Sequence, residues 1–163
     1  MRILAVCGSL QAKSGNLSLL RAAAELAPQG FEVVLFDGLR DLPLFNPDLE
    51  EDGVPPAVQG WRSALSASAA LLIATPEYGH SLPGALKNGI DWLIGSGELY
   101  QKVVAITAAV GDRDRGRRGL AALAQTLQAV DAKIVWNQPV VQGLGFEAEL
   151  RELLRTVASG AET

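Results

Sequence analysis

Short, uninterrupted apolar runs alternate with longer stretches of helical periodicity along this chain, and that alternation limits what it can fold into. Ile3 to Val6, Phe31 to Phe36, Ala69 to Ala74, Val103 to Ala109 and Lys133 to Trp136 read as strands. Runs without polar interruption belong to strands covered on both faces. Between them, helices are expected over Asn16 to Leu26, Pro55 or Pro56 to Ser66, Pro83 to Ile94, Gly119 to Val130 and Glu147 to Ala158. Pro at a helix start and Gly past its end punctuate several of these. Strand and helix in strict alternation mean right-handed crossovers and a parallel sheet with helices on both sides. The expected architecture is an α/β three-layer sandwich with a five-stranded parallel sheet, order 2-1-3-4-5, residues 1–163 forming a single domain. The polar stretch from Asp37 to Pro56 is too long for a bare connection and is read as a surface excursion. Its acidic run Asp48, Glu50, Glu51 and Asp52 is read as solvated.

Several function classes fall away on composition. Fourteen Lys and Arg against 18 Asp and Glu leave a net charge of −4, unlike the basic face of a nucleic-acid binder. One Cys and one His cannot build a Cys/His metal site or an internal disulfide. Cys7, at the end of an apolar run, reads as a small packed hydrophobe. No apolar run approaches the roughly 20 residues of a membrane span, and the first one is too short for a signal sequence. A cytoplasmic protein is expected.

Ligands of open parallel sheets bind beyond the carboxyl ends of the strands. Three loops leave such ends: Gly8 to Gly15, Thr75 to Leu82, and Ala109 to Arg118. The first carries Ser9, Ser14, Asn16 and Ser18 around a strand-to-helix turn, where hydroxyls, an amide and free helix N–H groups can cradle a phosphate. Capping of the helix by Ser14 or Asn16 explains the same residues equally well. Neither a Walker A loop nor G-x-G-x-x-G is present. In the second loop, Pro76-Glu77-Tyr78-Gly79 presents backbone amides and one ring at the sheet edge, which suits a flat cofactor with polar edges. Turn chemistry alone is the competing explanation. His80 reads as a solvent-facing loop residue able to titrate near neutrality.

These segments resemble the NADPH-dependent FMN reductase family, which includes quinone, azo-dye and chromate reductases of flavodoxin-like fold. The resemblance is carried by Gly8-Ser9-Leu10 with Ser14 and Asn16, by Thr75-Pro76-Glu77-Tyr78, and by Pro83-Gly84-x-Leu86-Lys87-Asn88-x-Ile90-Asp91-Trp92. It implies an FMN phosphate held by Ser9, Ser14, Asn16 and Ser18. It places the flavin ring against Pro76, Glu77, Tyr78 and Gly79, with Thr107 to Gly111 on the other side. It also implies NADPH or NADH as donor, a quinone or similar small acceptor, and a homodimer or homotetramer. No catalytic side chain is implied; Tyr78 and His80 would line the acceptor's side. The chain departs from the family pattern at Gln11, where Arg is common, at Gly79, where Asn is common, and at residues 107–113, which replace a Ser-Gly-Gly pattern. A flavodoxin-type electron carrier without NAD(P)H turnover is the rival reading. Arg113, Arg115, Arg117 and Arg118 fit either a donor's 2′-phosphate or a solvated helix start. Trp92, Leu93 and Tyr100 suggest a role shared between core and interface.

Overall fold

In the computed structural model, which describes residues 1–51 and 53–163, the apolar runs pair as a five-stranded parallel sheet. Strand β1 (Arg2–Cys7) lies between β2 (Glu32–Phe36) and β3 (Ala70–Ala74). Beyond β3 come β4 (Val103–Thr107) and then β6 (Lys133–Asn137). The order is therefore β2-β1-β3-β4-β6, the expected order with β6 as the sheet's fifth strand. Between β4 and β6 in the chain stands β5 (Ala109–Val110). It pairs in parallel with β7 (Val140–Val141) as a separate two-stranded sheet. The expected strand to Ala109 therefore ends at Thr107, because the chain turns there to start a second ladder.

Side chains alternate across the main sheet, as the pleat requires. On one face Ile3, Ala5, Leu72 and Ala105 pack on α1 (Gly15–Glu25) and α6 (Phe146–Ala161). On the other, Leu4, Val6, Ile73 and Ile106 pack on α3 (Pro56–Ser66), α4 (Gly84–Asp91) and α5 (Arg117–Gln128). Helix α6 runs to Ala161, past its expected end at Ala158. The buried face of α1 is Asn16, Leu19, Leu20 and Ala23, with Leu17 only half-buried.

The segment after β2 holds a 3₁₀ turn at Leu39–Asp41 and α2 (Asp48–Glu51). The acidic run is not wholly solvated: Glu50 pairs with Arg62 at 2.5 Å, and Arg62 also donates to the Trp92 carbonyl. Asp52 lies outside the described residues. Trp92 is fully buried and donates its indole N–H to the Pro43 carbonyl at 2.9 Å, with the Phe45 ring edge against it. Leu93 is buried too, whereas Tyr100 is exposed, so of the three only Tyr100 faces outward. Among the described residues, no helix is long and apolar enough to cross a membrane.

Candidate functional site

The three loops lie side by side at the carboxyl end of the sheet. Gly8 opens the first by donating its amide to Ala74 O at 2.9 Å, which extends the β1–β3 ladder by one residue. A Cβ on Gly8 would come within 2.3 Å of the Thr75 hydroxyl oxygen, so only glycine lets the first and second loops approach this closely.

Ser9, Ser14 and Asn16 are buried, while Ser18 is exposed. Ser14 stands at the N-cap of α1 in extended conformation, yet its side chain makes no cap hydrogen bond. Its hydroxyl instead faces the Cys7 thiol at 3.9 Å. The first-turn N–H groups of α1 are thus left without the side-chain partner that a capping serine normally supplies. Asn16 does not cap either. Its Oδ1 accepts from the Ala109 amide at 2.8 Å, which ties the first loop to the third and leaves its NH₂ free to donate. Ser18 donates its hydroxyl to Ser14 O at 3.3 Å, back along the helix. Of the four predicted phosphate residues, Ser9, Ser14 and Asn16 are buried around the strand-to-helix turn, and Asn16 reaches the cleft that the three loops border.

In the second loop, Tyr78 and Ser81 exchange backbone hydrogen bonds at 2.9 Å each, closing a two-residue hairpin over Gly79 and His80. Both central residues have positive φ, 57° and 62°, the pattern of a type I′ turn. Gly79 supplies one of the two positive φ angles this turn needs, a conformation that Gly and Asn both adopt readily. The turn projects Tyr78, which is 52% exposed, toward the first loop, where its hydroxyl meets Ser9 Oγ at 3.3 Å.

Glu77 does something the sequence did not announce. One carboxylate oxygen accepts from the backbone amides of Arg118 and Gly119 at 3.0 Å each, and the other meets His80 Nδ1 at 3.1 Å. Helix α5 has Gly116 at its N-cap and no side-chain cap of its own, so Glu77 is its cap, supplied from another loop. The Gly119 amide, and after it His80, holds the Glu77 carboxyl below its ordinary range. Half-buried, Glu77 keeps only its backbone and Cβ for a flat ligand, its carboxylate being engaged.

Thr107 is wholly buried and donates its hydroxyl to Gln138 O at 2.8 Å, so it supports the third loop from beneath rather than lining it. Gly111 is exposed and lines the opening. Asn16, Pro76, Glu77, Ala109, Gly111 and Arg118 border a cleft of about 540 Å³, within the size range of cofactor sites. The four arginines divide. Arg113 is tied to Glu149 and Arg117 to Asp114, whereas Arg115 and Arg118 make no ion pair among the described residues and face the cleft.

Uncapped helix N–H groups beside buried hydroxyls fit a phosphate. An open cleft between Pro76 and Ala109 fits a flat ring. Together they fit FMN.

Residues 1–144 match the family model of NADPH-dependent FMN reductases. The chain is 38% identical over 168 aligned positions to an NAD(P)H-dependent FMN reductase of Pseudomonas aeruginosa, covering 95% of this chain and 90% of that one. It is 33% identical to a quinone reductase of Escherichia coli strain K12, covering 88% and 77%. Among solved structures, the flavoenzyme NAD(P)H:(acceptor) oxidoreductase FerB of Paracoccus denitrificans superposes with a TM-score of 0.80. The two are 26% identical, and the alignment covers 99% of this chain and 95% of FerB.

Proposed function

Because the chain belongs to the NADPH-dependent FMN reductase family, we propose that it oxidises NAD(P)H through FMN held in the three-loop cleft and reduces a quinone or similar small acceptor. The observation that supports this reading is the N-terminus of α1, left without a side-chain cap, with Ser14 at its N-cap and Asn16 of its first turn bordering the cleft.

When bound, FMN supplies the electron chemistry, taking a hydride from a nicotinamide and passing two electrons on. This chain's residues bind and orient. Ser14 Oγ, the Asn16 NH₂ and the first amides of α1 hold the phosphate; Ser9 adds its hydroxyl from the facing side. Pro76, Tyr78 and Gly79 form one wall for the ring, and the backbone from Ala108 to Gly111 forms the other. The Glu77 carboxylate fixes the first wall by gripping α5. Gln11, exposed where the family commonly has Arg, leaves the phosphate to hydrogen bonds and the helix dipole. Tyr78 and His80 stand on the exposed side, where donor and acceptor alternate. No side chain need act as a general base.

The same reading has residues 1–163 working as one domain, in the cytoplasm, as a homodimer or homotetramer. Leu44, Ile94 and Tyr100, all exposed, supply apolar surface for contact between subunits. Purified protein reconstituted with FMN and desalted tests the proposal: about one flavin per chain supports it. Loss of all flavin from folded protein at micromolar concentration contradicts it.

A further inference from the structure

A second cavity, of about 280 Å³, lies on the other side of the first loop, between the carboxyl ends of β1 and β2. It shares Ser9 with the proposed phosphate site but none of the residues lining the three-loop cleft. Leu10, Leu17, Leu35 and Phe36 make its walls apolar. Its rim is charged. Asp37 follows β2 directly and is paired with Arg40 at 3.4 Å, while Arg21 from α1 makes no ion pair among the described residues.

We propose that this cavity takes the adenosine phosphate half of the pyridine-nucleotide donor, an inference that rests on the functional reading above. A purine needs apolar walls of this kind. An acidic residue just past the second strand of a doubly wound sheet is placed to accept from ribose hydroxyls, and a nearby arginine to meet a phosphate. Asp37, just past β2, and Arg21, on α1, both line this cavity. The spacing agrees as well. The cavity sits over β1 and β2 and the cleft over β3 and β4, two strand spacings or about 10 Å apart. A dinucleotide's diphosphate bridge covers that distance, so a donor anchored here can lay its nicotinamide in the cleft.

The test is calorimetric titration of the FMN-loaded protein with ADP and with 2′,5′-ADP, one probe for each kind of donor. At least one should bind to wild type. Arg21→Gln should weaken the tighter probe about tenfold or more, the worth of a charge-assisted hydrogen bond. Leu35→Trp, which fills the cavity, should weaken it likewise. In both variants the KM for the donor should rise while FMN content and kcat at saturating donor stay unchanged. If Leu35→Trp fails to fold, Arg21→Gln alone decides. Absence of binding by either probe at millimolar concentration overturns the proposal, as does wild-type affinity in Arg21→Gln. A protein that holds FMN but does not oxidise NAD(P)H overturns the functional reading instead, and the probe titrations still decide the subsite.

Discussion

Asn16 and Ala109 stand 93 positions apart and meet at 2.8 Å, the Asn16 side-chain oxygen accepting the Ala109 amide. One residue thereby joins two of the three loops while keeping two N–H donors for a phosphate. Asn16→Ala should cost about 1–3 kcal/mol of stability, because a part-buried backbone N–H loses its partner. Asn16→Asp keeps the acceptor and should recover much of that stability, yet bind FMN worse than Asn16→Ala through repulsion of the phosphate. Urea midpoints and FMN titrations of the two variants check this. Matching losses in both properties contradict it.

Ser14 allows a cleaner separation. Since its hydroxyl does not cap α1, Ser14→Ala should leave the urea midpoint nearly unchanged. It should weaken FMN by about 1.5–3 kcal/mol, the value of a hydrogen bond to a charged group. Riboflavin, lacking the phosphate, should lose nothing. Equal losses for FMN and riboflavin would return Ser14 to a purely structural role.

Gly8 is where the sequence leaves no alternative. Gly8→Ala brings a methyl group to within 2.3 Å of the Thr75 hydroxyl oxygen and 2.8 Å of the Thr75 Cβ. Overpacking of this kind should destabilise by about 1–3 kcal/mol and spread the first two loops. Thermal unfolding of apo and FMN-loaded forms measures it. The loaded form should regain less stability from FMN than wild type does.

Much of this was legible beforehand, and the rest had a physical reason to be hidden. Apolar runs such as Ile3–Val6 and Ala70–Ala74 must be covered on both faces, so a parallel sheet and the placement of its loops followed from alternation. The strand order was one choice among doubly wound orders. Ser9, Ser14 and Asn16 stood out because a strand-to-helix turn always exposes N–H groups. The family resemblance brings Thr107 to the ring, but burial and a Gln138 contact turn its hydroxyl inward. Residues Ala109–Val110 and Val140–Val141 make strands of two residues each, too short for any periodicity to register. The Glu77 cap on α5 is a tertiary contact across about 40 positions, and the local sequence at Pro76-Glu77-Tyr78-Gly79 carries no trace of it. Gly79-His80 did not resemble the Asn-Gly signal of a type I′ hairpin, although glycine and histidine both tolerate positive φ.

Glu77 gives the protein a pH-dependent element whose sign is fixed. Its folded-state pKa lies below the ordinary 4.5, chiefly through the Gly119 amide. Its contribution to stability is therefore complete above that ordinary value and is lost as pH falls through the lower folded value. Glu77→Gln should be less stable than wild type at neutral pH, and the gap should narrow as the pH drops below 4.5. Urea midpoints from neutral pH downward test this. Curves that stay parallel would show that the carboxylate charge does not hold α5.

A reductase of this kind requires that FMN in the cleft be reduced by a pyridine nucleotide. Anaerobic stopped-flow mixing of FMN-loaded protein with NADPH, and separately with NADH, measures that step alone. At least one donor should bleach the flavin absorbance completely, at a rate that saturates with donor concentration. A quinone added afterwards should restore the absorbance. Flavin that stays bound but is not bleached by either donor, at any concentration, would contradict the reductase and leave an electron carrier in its place.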